Sequence, residues 1–65
     1  MMEMSKQLLE LATITVERML KDGEIFAPIE ATGFYVHSSE QTFAGFTPLH
    51  AIDVAGKRFF IAWES

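Results

Sequence analysis

The apolar residues of this chain change their spacing once, at Gly23. Before it they recur with a helical period of about 3.6; after it they alternate with the period of about two that marks a strand. A single switch of this kind describes one helix followed by a sheet. Sixty-five residues leave room for one core only, because a chain this short buries only about 60% of the surface its unfolded form exposes. The expected fold class is therefore α+β: one N-terminal amphipathic helix packed on a four- to five-stranded antiparallel β-meander, a single domain over 1–65.

The helix is expected over about 5–22. Ser5 can cap it, since its hydroxyl accepts from an otherwise unpaired N–H of the first turn. Gly23, after Asp22, suits the left-handed residue that stops a helix. At 100° steps, Met4, Leu8, Leu9, Leu11, Ala12, Val16, Met19 and Leu20 share one broad side. Lys6, Glu10, Thr13, Glu17 and Lys21 share the other. The apolar arc covers roughly half the circumference, wider than the ~100° stripe that one core contact needs. Ile14 lies outside even that arc, beside Arg18.

Strands are expected over about 24–30, 34–38, 42–44, 49–54 and 57–63. Pro28 cannot donate to a ladder, so the first is an edge or bulged strand. Ala31-Thr32-Gly33 suits a three-residue hairpin loop, Ser38-Ser39-Glu40-Gln41 a polar turn, and Ala55-Gly56 a two-residue turn. Gly45 and Pro48 make the stretch around them irregular.

The last hairpin is specific enough to predict register. A two-residue loop sets Asp53 against Arg58, an opposite-charge cross-strand pair. It also places His50, Ile52, Val54, Phe59, Ile61 and Trp63 on one face, and Leu49, Ala51, Phe60 and Ala62 on the other with the charged pair. Both faces are then apolar away from the turn, whereas a sheet with one solvated face alternates cleanly. One short helix covers one face. The bulkier face (Ile52, Phe59, Ile61, Trp63) is expected beneath it, and the flatter one (Leu49, Ala51, Phe60, Ala62) is expected to meet a partner, most simply another copy. The first hairpin is apolar on both faces too, but a bulge at Gly33 leaves its faces unassigned.

Composition excludes more than it selects. There is no cysteine, which removes disulfides and thiolate metal sites. Net charge is −4, from nine acidic and five basic residues. Nucleic-acid binders carry a basic stripe, so direct contact with DNA or RNA is not expected. No stretch approaches the ~20 apolar residues that span a bilayer. The start, Met1-Met2-Glu3-Met4-Ser5-Lys6, has no basic leader ahead of an apolar run, and with no cysteine a cytoplasmic protein is expected.

The residues that carry chemistry form no motif. His37 and His50 with Glu40 and Asp53 have no metal-ligand spacing. Ser38 or Ser39 with His50 and Asp53 supplies the residue types of a hydrolase triad, but there is no G-x-S-x-G elbow, and Ser-Ser-Glu-Gln is ordinary turn chemistry. No catalytic residue, metal or cofactor is therefore expected. Six phenylalanines, one tyrosine and one tryptophan lack the basic company that base stacking requires. They are expected in core and interface. Phe43 and Phe46 flank Ala44-Gly45, and either one, if exposed, is an anchor for another protein.

These features point to a non-enzymatic protein-interaction module, a homodimeric regulator or inhibitor of the kind that phages and other mobile elements encode. Its expected partner-binding residues are Leu49, Ala51, Phe60, Ala62, Phe43 and Phe46. The alternative is a small-ligand or nucleic-acid binding domain whose site forms between subunits, motivated by the two histidines and the aromatic sheet.

Overall fold

The computed structural model describes residues 5–39 and 43–65. Helix α1 spans Lys6–Asp22 and is followed by strands β1 (Phe26–Ile29), β2 (Phe34–Ser38), β3 (Phe46–Val54) and β4 (Lys57–Glu64). Local chemistry sets both ends of α1. The Leu8 N–H donates to Ser5 Oγ at 3.1 Å. Gly23, at φ 75°, turns the chain left-handed, and its N–H donates to the Met19 carbonyl. The fold class is the expected one, a helix packed on an antiparallel sheet.

The order of the strands is not that of a meander. It is β1-β2-β4-β3, so the last strand lies between the second and third. Strands β2 and β3 both run antiparallel to β4 and are therefore parallel to one another. Ser38 lies beside Phe59 and Phe46 beside Glu64. Strand β2 thus ends near one end of β4, and β3 begins near the other.

Strand boundaries differ from expectation in three places. The first strand is shorter than 24–30, with Glu30 in the turn: Ile29 pairs with Phe34, so the loop is Glu30–Gly33, not Ala31–Gly33. Thr32 ties this turn together, its hydroxyl donating to the Ile29 carbonyl at 2.7 Å and accepting from the Phe34 N–H at 3.1 Å. In the expected strand 42–44, Thr42 lies outside the described residues, and Phe43 and Ala44 are not in a strand. Strand β3 begins at Phe46 and runs through Pro48, where irregular chain was expected from 45 to 48. The irregularity is confined to a register shift between Pro48 and His50.

Pro48 is tolerated there because of the direction in which its nitrogen points. The Ser65 N–H donates to the Gly45 carbonyl at 2.7 Å, which makes Gly45 and Ser65 a bonded pair. Antiparallel pairs alternate between bonded and non-bonded, so two residues on Thr47–Trp63 is bonded, and Pro48–Ala62 is not. Pro48 thus turns its nitrogen outward, where no bond is lost. Pro28 repeats the device on the other edge. The Ser38 N–H donates to the Ile25 carbonyl at 3.0 Å, so Pro28–Tyr35 is again a non-bonded pair.

The core lies between α1 and one face of the sheet. Leu8, Ala12, Val16 and Met19 meet Ala27, Ile29, Val36, Phe59 and Ile61, with Ile52, Val54 and Phe34 packed at the margin. Burial of side chains such as Ile61 contributes about 1.5–3 kcal/mol each. Thr15, which is not among the residues of the expected apolar arc, also faces the core; it donates its hydroxyl to the Leu11 carbonyl at 2.9 Å, which satisfies that group. Ile14 is 60% exposed. Trp63 belongs to the helix-side face by register but is 49% exposed, so α1 does not cover that end of the sheet.

Candidate interaction face

Register assigns the face away from α1 strand by strand. Phe26, His37, Phe60 and Ala51 form one row across the sheet, and Pro28, Tyr35, Ala62 and Pro48 the next. The first hairpin, unassigned from sequence, thus adds two aromatic residues and a proline to this face. Phe46 and Phe43 complete it from the start of β3 and the segment before it.

The six rings form one cluster. Phe26 stacks on Tyr35 with centroids 5.4 Å apart and planes 16° apart. Phe43 lies 4.7 Å from Phe26 and Phe46 5.0 Å from it. Phe46 meets Tyr35 edge-on at 5.0 Å. His37 lies between the Phe43 ring at 5.5 Å and the Phe60 ring at 5.6 Å. Offset, stacked and edge-to-face pairs at these separations add to what burial alone contributes. The contacts of Phe43 place that residue on this face, opposite α1.

The predicted site residues separate into three groups. Phe43, Phe46 and Phe60 are brought together through Phe26 and His37, and each is half-buried. Ala51 is exposed beside Phe60. Ala62 is fully buried within its own chain, among the rows of Tyr35 and Pro48, and has no surface to offer. Leu49 is the extra residue at the register shift, half-buried and without a cross-strand partner. The sequence argument omitted Phe26, Tyr35, Pro28 and His37. The signal that would have added them is the pairing of β2 with β4, which no local pattern encodes.

His37 is 6% exposed. Its Nδ1 donates to the Ser38 carbonyl at 3.1 Å, which satisfies one ring nitrogen inside the aromatic cluster. His50 is exposed on the helix-side face, opposite Ile61.

Charged groups stand at the two ends of this face, Glu64 beside Phe46 and the Asp53–Arg58 pair at the turn. Arg58 Nε donates to Asp53 Oδ1 at 3.1 Å. That hydrogen bond, and then the Asp53 charge, hold the Arg58 guanidinium above its ordinary pKa. Both side chains are well exposed, so the pair supports register more than stability. The residue types of a hydrolase triad are not assembled. His50 faces the helix side while Asp53 lies on the other face, occupied by Arg58. Among the described residues, no three His, Cys, Asp or Glu side chains gather closely enough to hold a metal ion.

Two open clefts lie elsewhere. One of about 420 Å³ is bounded by Leu20, Gly23, Ser39, Lys57 and Phe59; one of about 390 Å³ lies between Leu8, Leu11, Thr32 and Phe34. Among the described residues, no helix is long and apolar enough to cross a membrane. Searches of protein families, of curated proteins and of solved structures find no match to this chain.

Proposed function

We propose that this chain is a small non-enzymatic protein-interaction module, a self-associating regulator or inhibitor that receives another protein on the sheet face away from α1. One observation carries the reading. Five aromatic rings, Phe26, Tyr35, Phe43, Phe46 and Phe60, stand half-buried on that face, locked against one another and rimmed by exposed Pro28, Pro48 and Ala51.

Rings fixed in this way have already lost most of their rotational freedom. A partner that covers them gains contact area with little further ordering cost. Aromatic anchors in packed surroundings carry a large share of interface energy. The charges that register places on this face are the Asp53–Arg58 pair at one end and Glu64, beside Phe46, at the other, so the centre desolvates without stranding a charge.

The test is capture of a partner from the native cell by the tagged chain and by its Phe60→Asp variant. The expected result is a stoichiometric protein retained by the parent and lost with the variant, at unchanged far-ultraviolet circular dichroism. Equal retention by a folded variant would remove the face from the interaction, and an absence of any retained protein would remove the function.

A further inference from the structure

The two edges of the sheet are not equivalent. Strand β1 has four residues, and Pro28 occupies one of its outward positions; Phe26 is the outward donor that remains. Strand β3 has nine residues. Pro48 and the register shift blunt its first half, but between that shift and the Ala55-Gly56 turn run five regularly paired residues, His50 to Val54. Their side chains include a single charged group, Asp53. Among the described residues no strand pairs with this edge, and a regular edge of this kind is a template for another strand.

The direction of its backbone groups follows from two observations. Val54 and Lys57 flank a two-residue turn whose central residues both have positive φ, 54° at Ala55 and 77° at Gly56. Such a turn closes on a bonded pair. Next along, the Arg58 carbonyl accepts from the Ser39 N–H at 3.1 Å, on the β2 side and away from β3. Asp53–Arg58 is therefore a non-bonded pair, and Asp53, with Ala51 two residues on, turns its N–H and C=O to the open edge. The two outward residues lie symmetrically about Ile52.

We propose that a second copy of this chain adds to that edge, β3 against β3 and antiparallel, with Ile52 on the two-fold axis. The inference rests on the self-association proposed above and gives it a location. In this register Ala51 of each copy exchanges hydrogen bonds with Asp53 of the other, and all five residues, His50 to Val54, find partners. Asp53 meets Ala51 and not a second Asp53, so no like charges oppose one another. A contact of this form is isologous and closes after two copies. Opposed residues share a face, so both helices lie on one side of the joined sheet and both aromatic faces on the other. A partner protein would then meet two copies of the aromatic cluster side by side.

Light scattering behind a sizing column, across a dilution series, gives the mass. In the same samples, amide exchange at Ala51 and Asp53 is followed, and isotope-filtered NMR on mixed labelled and unlabelled chains maps contacts between copies. The expected result is a dimer whose Ala51 and Asp53 amides exchange more slowly as concentration rises, with a cross-copy contact between the two Ile52 α-protons. Ala51→Pro removes one outward N–H and no bond to β4; it should raise the dimer dissociation constant about tenfold or more. The measurements on the parent chain keep the proposal testable if that variant does not fold.

A dimer with cross-copy contacts at Phe46 and Phe60, and with Ala51 and Asp53 exchanging freely, would overturn the edge and leave self-association standing. A monomer at all concentrations would overturn both, while capture by the Phe60 face would remain a separate result. A slow-exchanging edge in a monomer that carries a foreign peptide would assign the edge to another protein's strand.

Discussion

Phe60 stacks on His37 across the central pair of strands, with ring centroids 5.6 Å apart and planes 28° apart. The two residues are direct cross-strand neighbours between β4 and β2, and the His37 ring meets Phe43 on its way. The pair thus ties the sheet to Phe43, ahead of β3. In a double-mutant cycle of His37→Ala and Phe60→Ala, read by urea unfolding at fixed protein concentration, the coupling is expected at about 0.5–1.5 kcal/mol. A coupling near zero would mean that the two rings are neighbours without mutual stabilisation.

The turn between β3 and β4 stores strain at Ala55. Its φ of 54° is a conformation that costs an L-residue with a Cβ roughly 1–2 kcal/mol. Ala55→Gly or Ala55→Asn should therefore stabilise the chain by about 0.5–1 kcal/mol, seen as a higher unfolding midpoint. The opposite change at Gly33, with φ 80° and nothing within 4 Å of an added Cβ, should destabilise by about 1 kcal/mol through backbone conformation alone.

Core and surface isoleucines should separate cleanly. Ile61 is fully buried between α1 and the sheet, and Ile61→Ala is expected to cost about 2–5 kcal/mol in denaturant unfolding. Ile14, which the helical period already set apart, should change stability by no more than about 0.5 kcal/mol when replaced by Ala.

Face and edge make opposite predictions for the same two variants. Phe60→Asp should abolish capture of a partner while leaving the mass in solution unchanged. Ala51→Pro should halve that mass while leaving the aromatic face intact, which near-ultraviolet circular dichroism would show as an unaltered ring signature. A single variant that removes both properties would merge the two surfaces into one.

What the sequence discloses is what short-range chemistry decides. Ser5 and Gly23 mark the helix ends because a hydroxyl and a missing Cβ act on the residues beside them. The last hairpin is legible near its two-residue turn, which fixes the pairs from Val54–Lys57 to His50–Ile61, Asp53–Arg58 among them. Pro48 misleads for the same reason. A proline interrupts a strand only where its N–H is needed, and whether β3 lies on an edge depends on strands far away in the chain. The aromatic face shows the limit most clearly. Phe43, Phe46 and Phe60 were visible as candidates, but Phe26, Tyr35 and His37 join them only once β4 has entered between β2 and β3.

That entry also sets a condition on assembly in time. β4 is the last element in the chain and is hydrogen-bonded on both sides, so the sheet has no partially finished form that resembles the whole. With β4 missing, β2 and β3 have no shared neighbour. The chain is thus expected to remain without fixed tertiary structure during synthesis until residues 57–64 are available, and then to close in one cooperative step.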